Sequence, residues 1–155
     1  MKLDIVAASP LWRRAPGARA KARVAIRAAA DVSGVSLRPD AEVALHLADD
    51  ARLRALNAQW RGKDAPTNVL SFPLAQPARV AEAPLLGDIF VSFQTLEAEA
   101  GRQGKSFDHH FIHLTVHGFL HLLGFDHETV KQARQMEGLE VRILAKLDVA
   151  DPYRD

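Results

Sequence analysis

The sequence has 155 residues, 48% hydrophobic and 25% charged with a formal net charge of +1, a balance typical of one folded domain. It contains no cysteine, which excludes disulfides, thiolate metal sites and a cysteine nucleophile, so any metal site must use imidazole or carboxylate groups. No apolar run approaches the roughly 18 residues of a membrane span, and Asp4 interrupts any signal peptide, so we expect a cytoplasmic protein without membrane partners.

The N-terminal part of the chain is basic. Leu3 and Ile5 alternate with polar neighbours and predict a first strand, and the Ala- and Arg-rich residues 16–30 predict a helix. Residues 1–30 hold seven Lys and Arg against Asp4, a balance of +6, which leaves −5 for the remainder. This charge suits an anionic partner such as RNA, but a solvated helix face would show the same pattern, so charge alone does not decide.

A second strand and helix follow. Alternating apolar residues at 43–47 predict the strand, and Asp49 and Asp50 stand where a helix N-cap belongs. Apolar residues then recur at helical spacing to about Trp60, which predicts a helix before the polar turn RGKDAPT.

Two short strands are predicted in the middle of the chain, at 68–73 and 85–91. The Pro- and Ala-rich stretch 75–84 between them is typical of a flexible loop, and Ser92 can cap the next helix.

The last third predicts two helices, one from about Ser106 to Leu123, stopped by Gly124, and one that begins near Glu128. An apolar stripe at helical spacing on the second helix indicates core, and it comprises Met136, Leu139, Ile143, Leu144 and Leu147. Strands and helices interleave without a strict βαβ repeat. We therefore predict a single α+β domain over residues 1–155, with a small mixed sheet of about four strands packed with helices.

Six of the seven histidines cluster in one short segment, which indicates a metal site. His117 and His121 lie four apart, so a helix places both on one face, although His113 and His117 meet the same condition. Gly124 can turn the chain back and bring His127 beside the last helical turn, nearest His117 and His121. We predict that these three residues hold one Zn²⁺ per chain and leave a fourth position for water.

The other histidines have ordinary interpretations. We expect His109, His110 and His113 to be exposed or to lie behind the ligands, and His46 to be exposed on the non-apolar face of its strand.

The same ligand spacing occurs in metzincin proteases, whose motif has Glu directly after the first histidine as the general base. Here that position is Gly118, so the peptidase mechanism lacks its proton acceptor.

The segment HLTVHGFLHLLGFDH, residues 113–127, resembles the histidine motif of the YbeY endoribonucleases. The resemblance extends to LNAQWRGKDAPTNVLSFP (56–73), GDIFVS (87–92) and MEGLEVRIL (136–144), in matching order and spacing over about residues 40–145.

This resemblance implies a single-strand-specific, metal-dependent endoribonuclease that acts in ribosomal RNA maturation, at the 3′ end of small-subunit RNA, and in ribosome quality control. It implies zinc on the three histidines, and as partners single-stranded RNA and the small ribosomal subunit, with no DNA expected. It also implies that Arg61 and His117 are the residues on which activity depends.

The chemistry of Arg61 suits the role that the resemblance implies. A guanidinium can bind a phosphate through two parallel hydrogen bonds and stabilise charge that develops on it, whereas an isolated arginine is more often a solvated loop residue. Our hypothesis is that zinc polarises the scissile phosphate or activates water while Arg61 stabilises the transition state. The general base is not identified.

Four further residues carry expectations. Asn68 stands where the family usually has Asp. Asn keeps the hydrogen-bonding shape of Asp but loses its negative charge. The alternative interpretation is that Asn68 is only a turn residue that opens the strand. Ser71 and Phe72 could line the cleft, although Phe72 could equally be core. Asp126 could orient His127 or cap the last helix, and we favour capping.

Two other functions remain open. A different zinc hydrolase, such as a peptidase or deaminase, would be indifferent to Arg61→Ala. A non-catalytic ribosome-associated factor would use zinc only to hold the helix to the turn, and it would leave RNA uncut.

Overall fold

The computed structural model describes residues 1–154, which fold into a four-stranded sheet surrounded by helices. The strands are β1 (Lys2–Ala7), β2 (Glu42–Ala48), β3 (Val69–Pro73) and β4 (Leu85–Ser92). The helices are α1 (Ala18–Ser33), α2 (Asp50–Arg61), α3 (Phe93–Gln103), α4 (Phe107–Leu122) and α5 (Val130–Lys146), with 3-10 helices at Pro10–Arg14 and Pro77–Glu82. The predicted α+β class with a small mixed sheet is confirmed.

The sheet has the order β1-β2-β4-β3. β1 and β4 both pair in parallel with β2, whereas β3 pairs antiparallel with β4. The strand β3, which follows the RGKDAPT turn, therefore forms one edge of the sheet.

The two faces of the sheet are covered unequally. Val43, Leu45 and Leu47 of β2 belong to the large core that also contains buried residues of α1, α4 and α5. On the opposite face, α2 packs Leu53 and Leu56 in a smaller cluster with residues of β3 and β4. The site described below lies where the large-core helix α4 meets the edge strand β3.

Side-chain caps define where three helices begin. Asp49 accepts a hydrogen bond from the amide of Arg52 at the start of α2, as predicted, and Ser106 caps α4 through the amide of His109. Thr129 forms a capping box with Gln132 at the start of α5. The expectation that Asp126 caps this helix is therefore wrong, because Thr129 holds that position.

Two other local predictions need correction. The stretch 75–84 is not a plain loop, since it contains the 3-10 helix Pro77–Glu82, which buries Val80 in the large core. Ser92 stands at the N-cap position of α3 but makes no capping bond; its hydroxyl donates instead to Asp50 Oδ1, at 2.5 Å.

Within residues 1–154, no helix combines the length and apolar character that crossing a bilayer would require.

Candidate active site

Three histidines meet at the C-terminal end of α4. His117 and His121 project from successive turns of the helix, and His127 returns from the loop that follows it. One nitrogen from each ring lies within 4.8 Å of the others, and the Nε2 atoms of His117 and His121 are 3.1 Å apart. The structure thus brings together the three residues that the spacing singled out.

The return of the chain depends on a helix-ending motif. The amide of Gly124 donates to the carbonyl of His121, and the amide of Phe125 donates to the carbonyl of Leu120, which is a Schellman motif. Gly124 has φ 97°, a conformation that strains any residue with a Cβ. Asp126 Oδ1 then accepts from the amide of His127 at 2.8 Å, so this carboxylate fixes the backbone of the loop.

The three imidazoles fit a single transition metal ion. Ligand nitrogens around a tetrahedral zinc lie about 3.3 Å apart, close to the separation of the first pair. Burial, and the neighbouring rings of His117 and His127, lower the pKa of His121 to about 4, which keeps its lone pair available at neutral pH. Imidazole also suits other transition metals, so the donor set fits zinc without selecting it.

A buried carboxylate supports the first of these histidines. Glu140 of α5 is 0% exposed, and its Oε1 lies 2.5 Å from His117 Nδ1. A hydrogen bond donated from Nδ1 leaves the lone pair of His117 on Nε2, the atom that faces His121. The histidine spacing does not point to Glu140, but a Glu on the apolar stripe of a helix is a sequence signal for such a buried partner.

Two further groups surround Glu140. The hydroxyl of Tyr153 donates to its Oε2, and His113 Nε2 lies 3.7 Å from its Oε1. Burial acts to raise the pKa of Glu140, but its interactions with His113, His117 and Tyr153 outweigh burial and lower the pKa to about 2. His113 therefore stands behind the ligand cluster, in one of the two places expected for it, and takes no part in the cluster itself.

The histidines open into a cleft of about 1250 Å³. Residues 67–73 also line this cleft, as do Trp60 and Arg61 at the end of α2. Arg61 is exposed, and within residues 1–154 it forms no salt bridge, whereas Arg54 of the same helix binds Asp64 through two hydrogen bonds. The guanidinium of Arg61 is therefore free to bind a ligand in the cleft.

Comparison with known proteins identifies the family. The family model described as "Endoribonuclease YbeY" matches residues 16–148, most of the chain. The chain belongs to the YbeY family.

Curated relatives agree with this assignment over nearly the full length. A protein named Endoribonuclease YbeY from Rhodopseudomonas palustris (strain BisA53) is 50% identical, over 98% of this chain and 90% of the relative. One of the same name from Bradyrhizobium sp. (strain BTAi1) is 49% identical, over 98% and 92%. The solution structure of TM1509 from Thermotoga maritima shares the fold, with a TM-score of 0.56 at 21% identity over 99% of each chain.

Asn68 has defined hydrogen-bond partners. Its Nδ2 donates to the carboxylate of Glu99, at 3.0 and 3.3 Å, and its Oδ1 accepts from the amide of Val69. The same carboxylate lies 2.9 Å from Nε2 of the buried His110. Asn68 contacts none of the three clustered histidines, so what it orients is Glu99, which also lines the cleft.

Ser71 and Phe72 both line the cleft, as expected for this YbeY segment. The hydroxyl of Ser71 donates its hydrogen to the carbonyl of Gly118 at 2.8 Å, so this hydrogen is not available to a ligand. Phe72 is partly buried against the small cluster under α2, so it both lines the cleft and packs on the core.

The other histidines of this YbeY chain differ in their exposure to solvent. His109 is exposed, as expected, whereas His110 is buried against Glu99. His46 is not exposed: its Nε2 lies 2.9 Å from Asp88 Oδ1 and its ring stacks on Phe90, at 4.1 Å between centroids. The alternation of β2 placed His46 away from the large core, but it could not show that neighbouring strands cover that face.

Most of the basic N-terminal residues bind groups within the chain. Lys2, Arg14 and Lys21 form salt bridges with acidic residues. Arg19 and Arg23 of α1 donate to carbonyls of β1, the other edge strand of the sheet. This pattern favours the solvated-face interpretation for most of the segment, and binding of RNA there stays a prediction.

Proposed function

We propose that this chain is a single-strand-specific, zinc-dependent endoribonuclease that matures ribosomal RNA, including the 3′ end of small-subunit RNA, and takes part in ribosome quality control in the cytoplasm. The endoribonuclease activity follows from the family. The observation that carries the metal dependence is the convergence of His117, His121 and His127 in the same cleft as Arg61.

The residues that line the cleft would have different roles in cleavage. The three histidines would hold one Zn²⁺, which supplies a Lewis acid for the phosphate and a binding position for water. Glu140 holds the ring of His117 in the orientation that presents Nε2. Arg61, which lines the same cleft, would bind the non-bridging oxygens of the scissile phosphate and stabilise their charge as it increases toward the transition state.

Two observations support a nucleic acid rather than a small molecule or a peptide. The cleft is larger than the roughly 300–1,000 Å³ of small-molecule sites. Residue 118 faces the sheet, where a Cβ would come within 2.8 Å of Ile89 Cγ2, so the position of the metzincin general base is closed to a Glu side chain. The ribosomal part of the proposal rests on the resemblance of the sequence blocks to the family.

A comparison of arginine variants tests the role of Arg61. We expect Arg61→Ala to keep its zinc and to lose about 10²- to 10³-fold in the rate of cleavage, because it removes charge stabilisation without touching the metal ligands. The assay follows cleavage of single-stranded and duplex ribosomal RNA fragments by protein of measured metal content.

Arg54→Ala is the matched control, because it removes a charge from the same helix and should leave cleavage within a few-fold. His117→Ala should lose both metal and cleavage. A zinc-loaded wild type that cuts no RNA would contradict the proposal and favour a ribosome-associated factor in which zinc is structural. A cleavage rate unchanged by Arg61→Ala would remove Arg61 from the site.

A further inference from the structure

The two tryptophans of the chain lie in opposite environments. Trp12 is 4% exposed, donates to the carbonyl of Ala48 and packs against aromatic residues of the large core. Trp60 is 64% exposed in the last turn of α2 and lines the cleft. Within residues 1–154 the indole of Trp60 forms no hydrogen bond, and most of its surface lies outside the core.

A row of rings supports Trp60 from one side. The ring of Phe72 lies 6.4 Å from it at 63°, and the ring of Phe90 lies 5.8 Å from Phe72 at 81°. Phe90 in turn stacks on His46, which is bound to Asp88. These residues belong to paired strands of the sheet, so they hold the indole at the rim of the cleft while most of its surface stays open.

Tyr153, the other exposed aromatic residue of the cleft, already has a role. Its hydroxyl donates to Glu140, and its ring lies at 88° to His113, 5.7 Å between centroids. Trp60 is the more exposed of these two aromatic side chains, and within residues 1–154 no hydrogen bond occupies its indole.

We propose that Trp60 is a stacking platform for one base of single-stranded RNA, placed beside the phosphate that Arg61 binds; this inference rests on the proposed function. A free nucleobase presents a flat face to an indole, and such stacking tolerates every base because each has a π-face. In a duplex, the bases are stacked on one another and have no face to offer. Trp60 therefore selects single strands, and Arg61, which lines the same cleft, supplies the phosphate contact.

Binding and cleavage are measured separately, so that failure of this inference can be told from failure of the proposed activity. The binding probe is a short, 5′-labelled, single-stranded 2′-O-methyl oligoribonucleotide, followed by fluorescence anisotropy with the zinc-loaded protein and checked for integrity on a gel. A second probe of equal length lacks the bases.

We expect Trp60→Leu to weaken binding of the base-bearing probe by about 5- to 100-fold, whereas Trp60→Phe should stay within a few-fold of wild type. Binding of the abasic probe should be unaffected by either substitution. Intrinsic fluorescence of wild type should be quenched by the base-bearing probe, and that of Trp60→Leu, which reports the buried Trp12, should not. Val24→Ala, an exposed apolar position on α1, is the matched control for loss of surface.

Equal affinity of Trp60→Leu and wild type for the base-bearing probe would overturn the inference, as would an equal loss with the abasic probe. If wild type cuts RNA and Trp60→Leu cuts and binds it equally well, the activity stands and the stacking role fails. If wild type binds with base-dependent quenching but cuts nothing, the stacking subsite stands and the endoribonuclease proposal fails.

Discussion

Glu140 is a buried charge that lies behind the three histidines of the candidate metal site. It lies on the apolar face of α5, and its carboxylate oxygens are occupied by His117 Nδ1 and the hydroxyl of Tyr153. A buried carboxylate without such partners would be strongly destabilising, so its presence here indicates a task. That task is to hold the imidazole of His117 in one tautomer and one orientation.

Replacement of Glu140 tests this at the residue scale. We expect Glu140→Gln to weaken zinc binding by about 10- to 100-fold, because the neutral amide is a poorer acceptor for Nδ1 and can also be turned to present its NH₂ group. Competition with a chromophoric chelator measures the affinity. Glu137→Gln, an exposed neighbour on the same helix, should bind zinc like wild type. Equal affinities for the two variants would show that Glu140 serves folding only.

At the scale of elements, α4 can lie against the sheet because residue 118 has no side chain. A Cβ there would lie 2.8 Å from Ile89 Cγ2 and 3.1 Å from Ser71 Oγ, while Ser71 donates to the carbonyl of Gly118. This close contact sets the distance between the helix that carries His117 and His121 and the strand β3, which also lines the cleft.

Glycine substitutions separate this packing role from helix propensity. We expect Gly118→Ala to lower the free energy of unfolding by about 1–3 kcal/mol, since the added methyl overpacks a closed interface. Gly138→Ala, on the open face of α5, should instead raise it by roughly 0.5–1 kcal/mol, because alanine favours helix and meets no atom within 4 Å. Urea denaturation measures both, and a Gly118→Ala protein as stable as wild type would refute the close contact.

At the scale of the whole molecule, the candidate site joins parts of the chain that are far apart in sequence. It takes the three histidines from α4 and its following loop, their support from α5 and Tyr153, and other lining residues of the cleft from α2 and β3. A metal ion that binds only the folded arrangement must therefore stabilise the entire fold.

Zinc should raise the melting temperature of the wild type by about 5–10 °C when its free concentration is about a hundred times the dissociation constant, which corresponds to about 2.7 kcal/mol. His127→Ala should abolish most of this shift in melting temperature. It should not disturb the packing of the core, because His127 is exposed. His109→Ala removes an exposed histidine outside the cluster and should keep the full shift. Calorimetry or thermal scanning measures these values; an equal shift in His127→Ala would exclude His127 as a ligand.

Much of the local structure could be predicted because its causes lie within a few residues. Asp49 caps α2 from three residues before Arg52, and Gly124 ends α4 through bonds to the preceding turn. The convergence of His117, His121 and His127 is also a local feature, since helix periodicity and one turn determine it. The cap of α5 is Thr129 and not Asp126, because the loop keeps the carboxylate of Asp126 on the amide of His127.

What the sequence by itself determined was therefore the α+β class, most element boundaries and the histidine trio, all consequences of spacing along the chain. Only the tertiary structure decided that Glu140 supports His117, that Asn68 and His110 bind Glu99, and that His46 is covered by Phe90 and Asp88. Each of these contacts joins residues of two different helices or strands, or a helix and the loop before β3. Their partners are selected by how helices and strands pack, and no local pattern of hydrophobicity or charge contains that information.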